Sequence, residues 1–187
     1  MKISIYLSAS LVIIGVIIGI AFGYYLTPEY KVAMYEKNSM SLGRADRTFD
    51  LRYINTMIAH HRGAMLLAEQ LGKNTTRPEL KGLSENILKD EPKAIDELYA
   101  WKKEWYGDTK IVRDPVVANL GPAGDSFDLR FLNAIIAHHE AGIEMTKETR
   151  LKSSRAEILN NADAVEAFLF NGLQTLKGLR STWYNIQ

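Results

Sequence analysis

The chain has 187 residues, 47% of them hydrophobic and 24% charged, with a formal net charge of +1 and no cysteine. That size and balance fit one globular domain with an appendage and exclude a disordered chain. Near-neutral charge, with no basic tract and no Gly-rich phosphate loop, argues against a nucleic-acid partner, and the absence of cysteine removes disulfides and thiolate ligands.

In chain order, Ile3 to Pro28 carries no charged residue and ends near the aromatic pair Tyr24-Tyr25. Such a run is long enough to cross a hydrocarbon core of about 30 Å as a helix. Residues 1–28 are therefore expected to form a single-pass transmembrane anchor. The competing reading is a cleaved signal peptide, because Lys2 precedes the apolar run and Ala21-Phe22-Gly23 has a small-x-small pattern. Lys2 and the amino terminus are the only positive charges ahead of the span, which places the following domain outside the cytoplasm, periplasmic or extracellular. Residues 29–44 are polar, show no sustained period and read as a stalk.

Residues 45–187 contain one unit used twice. FDLRYINTMIAHH at Phe49–His61 recurs as FDLRFLNAIIAHH at Phe127–His139, with nine of thirteen positions identical and an offset of 78 residues. The register holds to the end, where Trp105-Tyr106 falls on Trp183-Tyr184. Each copy reads as a helical hairpin. Repeat 1, at 45–107, has helices from about Asp46 to Leu71 and from Pro78, a residue suited to a first helical turn, to Trp105, with Gly72 to Thr76 as the turn between them and Gly107 as the stop. A linker at 108–123 holds two prolines and a glycine. Repeat 2, at 124–187, has helices from about Ser126 to Leu151 and Ser154 to Tyr184. Strand-like alternation is absent. The expected fold class is all-α, an up-down four-helix bundle of two tandem hairpins following the transmembrane helix.

All four histidines, His60, His61, His138 and His139, fall in the two equivalent pairs. On a helical wheel the apolar residues Phe49, Tyr53, Ile54, Met57, Ala64, Leu67, Ala68 and Leu71 share one face, and His60, His61 and Asp50 point to that same side. Asp128, His138 and His139 repeat the pattern. An imidazole buried without a partner costs on the order of 1–3 kcal/mol, so something is expected to satisfy these groups.

Adjacent histidines diverge by about 100° on a helix, but Met57 and Met65 lie one turn either side of His61, and the second copy can bring its own pair across the core. Imidazole with thioether and no thiolate suits copper, particularly copper(I); zinc held by the histidines is the alternative. The candidate metal ligands are His60, His61, His138 and His139, with Met57, Met65, Met145, Asp50, Asp128 and Glu91 as further donors. The copies differ, because Met57 and Met65 become Ile135 and Ile143, Leu67 becomes Met145, and Glu91 becomes Leu169.

The architectural reading stands beside the metal one. Buried histidines can bond carboxylates or carbonyls and fix packing, methionines fill cores, and Asp50 and Asp128 suit a first helical turn. A ferritin-like oxidase has little support, since paired Glu-x-x-His motifs are missing, and no serine stands with a histidine and an acid in a hydrolytic arrangement.

The run MIAHHRGAMLLA, followed about thirty residues later by Trp101 and Trp105-Tyr106-Gly107, resembles the family catalogued as domain of unknown function 305 (DUF305). The resemblance covers nearly all of 45–187 as two tandem copies. It implies a ferritin-like four-helix bundle, secreted or membrane-anchored, with copper binding outside the cytoplasm in some members. The positions it carries over are Met57, His60, His61 and Ala64 in copy one and His138, His139 and Met145 in copy two. The expected function is a membrane-anchored, extracytoplasmic protein that sequesters or transfers copper and catalyses no reaction. The alternative is a structural or protein-interaction bundle.

Overall fold

The computed structural model describes residues 42–186; the anchor expected at 1–28 and most of the stalk expected at 29–44 lie outside them. Four helices make up the described fold: α1 (Phe49–Asn74), α2 (Pro78–Tyr106), α3 (Phe127–Lys152) and α4 (Ala156–Tyr184). No strand occurs among the described residues, and none of the described helices is long and apolar enough to cross a membrane.

The helix boundaries follow local chemistry. α1 begins three residues later than expected, because Asp46 holds Arg47 and Thr48 in a turn: its Oδ1 accepts from Thr48 N at 2.8 Å, Thr48 Oγ1 at 2.8 Å and Arg52 Nη1 at 2.9 Å. Such a side chain offers the backbone an alternative to the helix. The hydrogen bonds from Arg52 and Thr48 hold its carboxyl down to about 2.

α1 also runs past the expected stop at Gly72. A Cβ there would sit 2.8 Å from Ser84 Oγ, so this glycine admits close approach of α2 and does not end the helix. Ser84 Oγ donates to Ala68 O at 2.8 Å across the same contact. Pro78 opens α2, and Gly107 ends it in the left-handed region, φ 60°, where a glycine has no Cβ penalty.

α1 packs on α2, α3 packs on α4, and the two hairpins join chiefly through α1 and α3. Those two helices are antiparallel, since Ser153 Oγ, just past the end of α3, donates to Asp50 Oδ1 at the start of α1, 2.7 Å away. Two apolar clusters result. One gathers Leu67, Leu71, Leu80, Phe131, Ile135 and Leu173; the other gathers Phe49, Tyr53, Met57, Leu98, Met145 and Ile158. His60 and His61 lie on α1 between Ile58 of the second cluster and Leu67 of the first.

The two ends of the bundle are latched alike. Arg77, ahead of α2, lies over the Trp183 ring at 4.2 Å and pairs with Asp128 at 3.2 Å. Arg155, ahead of α4, lies over Trp105 at 4.2 Å and pairs with Asp50 at 3.4 Å. Each latch ties the turn of one hairpin to both helices of the other. The connection between α2 and α3 runs back along α1. Asp114 takes a two-pronged bond from Arg62, at 2.7 and 2.9 Å, and the Gln70 amide bonds Ala118 O and Leu120 N, each at 2.9 Å.

Candidate metal centre

The antiparallel crossing of α1 and α3 brings the two histidine pairs together. His60 and His138 stack with ring centroids 3.9 Å apart and planes 19° apart. His61 stands edge-on to His60 at 6.0 Å, and His139 edge-on to His138 at 6.4 Å. His60 and His138 are buried, His139 nearly so, and His61 is half-buried.

Hydrogen bonds fix which ring nitrogen carries the proton in three of the four. His60 Nε2 faces His138 O at 3.3 Å, and His139 Nδ1 faces Ile135 O at 2.9 Å; a carbonyl only accepts, so each of these nitrogens donates. His61 Nδ1 donates to Glu91 Oε2, reached from the facing side of α2. In a neutral ring the opposite nitrogen then carries the lone pair. Two of those, His60 Nδ1 and His61 Nε2, are buried with no hydrogen-bond partner.

Backbone clearance makes room for the rings. A Cβ on Gly142 would meet His60 Nε2 at 2.5 Å and Leu169 Cδ1 at 2.6 Å, and one on Gly172 would meet His139 Nε2 at 2.8 Å. Burial, reinforced by the neighbouring His138, pushes His60 well below the usual histidine value; the same two causes push His139 down to about 4. Both rings are neutral at pH 7, the form that binds metals.

All four histidines open into one cleft of about 850 Å³ between α2 and α4. Leu83, Ile87, Val165, Phe168, Leu169 and Leu176 form most of its apolar walls; its charged lining residues are Glu79, Asp90 and Glu91, with no lysine or arginine. Among the described residues no three His, Asp or Glu side chains enclose a point that would hold an ion, so the imidazoles stand as pairs and not as a finished coordination shell.

The structure gathers His60, His61, His138, His139 and Glu91 at this cleft and places the other candidates elsewhere. Met57 and Met145 are buried in the apolar cluster on one side of the histidines. Met65 flanks that cluster, with its sulfur 3.9 Å from Arg62 Nη1, and lines a separate cavity under the α2–α3 connection. Asp50 and Asp128 serve the two end latches. Spacing alone assigns no role to Gly142, Gly172, Arg77 or Arg155; the 78-residue offset that aligns Arg77 with Arg155 is the signal for the latches, but nothing local marks the two glycines.

Several solved structures are similar to this chain. A Cu(I)-bound form of CopM matches with a TM-score of 0.63 at 26% identity, covering 71% of this chain and 95% of that one. A Cu(II)-bound form of CopM has a TM-score of 0.60 at 25% identity, covering 72% and 97%. An Ag-bound form of CopM has a TM-score of 0.62 at 26% identity, covering 71% and 95%. Comparison with curated protein sequences finds no match. Residues 50–114, which hold nearly all of α1, the whole of α2 and the first part of the connection to α3, match the family described as "Domain of unknown function (DUF305)".

Proposed function

We propose that this protein binds copper through His60, His61, His138 and His139 and sequesters the ion or hands it over, outside the cytoplasm, from a domain tethered by residues 1–28. The observation that carries the reading is the pair of buried, partnerless nitrogens, His60 Nδ1 and His61 Nε2, in rings that line a cleft with no lysine or arginine. A buried polar atom left unbonded costs about 1–3 kcal/mol, a cost that a bound cation reverses. The similarity to copper- and silver-bound CopM supports the same reading.

Imidazoles offered in pairs favour copper over zinc. A structural zinc site asks for a closed tetrahedral shell of four ligands, and no such cluster stands ready among the described residues. Met57, Met65 and Met145 line no part of the cleft, so the histidines carry the proposal. The carbonyl bonds of His60 and His139 favour the architectural alternative, in which these rings only pin α1 to α3. Copper(I) titration of the full chain against the His60→Ala/His61→Ala variant separates the two: lost binding in a folded variant supports the metal site, and unchanged stoichiometry contradicts it.

A further inference from the structure

The two histidine pairs are not equivalent. His61 and His139 occupy matching positions, yet His61 Nδ1 donates to a carboxylate, Glu91, whereas His139 Nδ1 donates to the carbonyl of Ile135 in its own helix. The residue 78 positions after Glu91 is Leu169, so the second hairpin has no such acid to offer. The His61 and Glu91 side chains are only 12% and 16% exposed, so their contact is a desolvated one.

Glu91 precedes Pro92 inside α2. A proline there removes one backbone hydrogen bond and bends or loosens the helix locally, which sets α2 apart from α4 at this point.

We infer that Glu91 is a positioning and charge-balancing residue that makes the first hairpin's pair, His60 and His61, the high-affinity end of the cleft. The inference rests on the copper reading above. Two physical effects support it. The carboxylate fixes the proton on Nδ1, so the lone pair is left on Nε2 without a tautomer change. An ionised carboxylate also places negative charge beside that ring in apolar surroundings, which stabilises a cation bound to it and makes the ring a stronger donor. His139, held by a neutral carbonyl, gains orientation but no charge. An ion entering the cleft thus meets a gradient of donor strength from His139 to His61.

Two substitutions separate charge from orientation. Glu91→Gln keeps an oxygen that accepts from Nδ1 and removes the charge; Glu91→Leu, the residue at the matching position, removes both. Copper(I) affinity is measured on the full chain by competition with a chromophoric copper(I) chelator, with nitrogen-15 NMR of the histidine rings and circular-dichroism melting as companion readouts. The expected result is a copper(I) affinity about 10-fold weaker in Glu91→Gln and up to about 100-fold weaker in Glu91→Leu, at unchanged stoichiometry. His61 should keep its Nδ1–H form in the glutamine variant and lose its single form in the leucine variant. Wild-type affinity retained in a folded Glu91→Leu protein would overturn the inference while leaving copper binding intact. Wild-type protein that binds no copper(I) would overturn the copper reading, and this inference with it.

Discussion

His60 and His138, on antiparallel helices and 78 residues apart, lie face to face with ring centroids 3.9 Å apart, and the Nε2 of one reaches the backbone oxygen of the other at 3.3 Å. The contact joins the two hairpins at the level of the cleft and makes one helix's histidine part of the other's environment. Burial and the neighbouring His138 together keep the His60 ring neutral.

The bundle should therefore lose stability in mild acid. His60 and His139 are held below the ordinary histidine value of 6.5 in the folded state, His139 at about 4, whereas the unfolded chain takes up protons near 6.5. The unfolded state binds more protons in that interval, so stability falls as pH drops from about 6.5 to about 4 and levels off with respect to His139 below that. For His139 the loss is roughly 3 kcal/mol, at about 1.4 kcal/mol per unit. Urea melts between pH 7 and pH 4 measure it; His139→Gln should flatten part of the slope.

Gly142→Ala should be costly although alanine is the better helix former. Its Cβ would meet His60 Nε2 at 2.5 Å and Leu169 Cδ1 at 2.6 Å, forcing the stacked rings or α4 to move. Overpacking of this kind costs about 1–3 kcal/mol. Gly82→Ala, with nothing within 4 Å of the added atom, is the control and should gain about 0.5–1 kcal/mol from helix propensity. Thermal melts of the two variants should move in opposite directions.

The end latches predict coupling between residues distant in sequence. Arg155 stacks on Trp105 at 4.2 Å and pairs with Asp50 at 3.4 Å, so Arg155→Ala and Trp105→Ala should not be additive. A double-mutant cycle should return an interaction of about 0.5–2 kcal/mol for this partly exposed contact. The Arg77–Trp183 pair at the other end, also at 4.2 Å, should give a similar value.

The helical architecture was legible because apolar residues recur at helical spacing and Pro78 and Gly107 act through the backbone alone. Buried Phe49, Tyr53, Ile54, Met57, Leu67 and Leu71 fall on the face that the wheel assigns to the core. Gly72 misled because the same residue that ends helices also permits close packing, and only the position of Ser84 decides between them. The histidines were legible as buried groups needing partners and Glu91 as a further donor, but not which ring it meets. Glu91 reaches His61 across a helix interface, and the Asp50 expected near the histidines is instead drawn to Ser153 and Arg155 at the end of the bundle. Spacing along one helix cannot report which side chain the neighbouring helix delivers. For the same reason Met57 and Met145, which share a face with the histidines in sequence terms, are absorbed by an apolar cluster one or more turns away.

Copper binding by the paired imidazoles is read by competitive copper(I) titration of the full-length protein beside its His60→Ala/His61→Ala variant, each confirmed helical by circular dichroism. The wild type should bind saturably and the variant should lose at least about a hundredfold in affinity, from removal of the two partnerless buried nitrogens. Equal binding by both proteins, or none by a folded wild type, would contradict it.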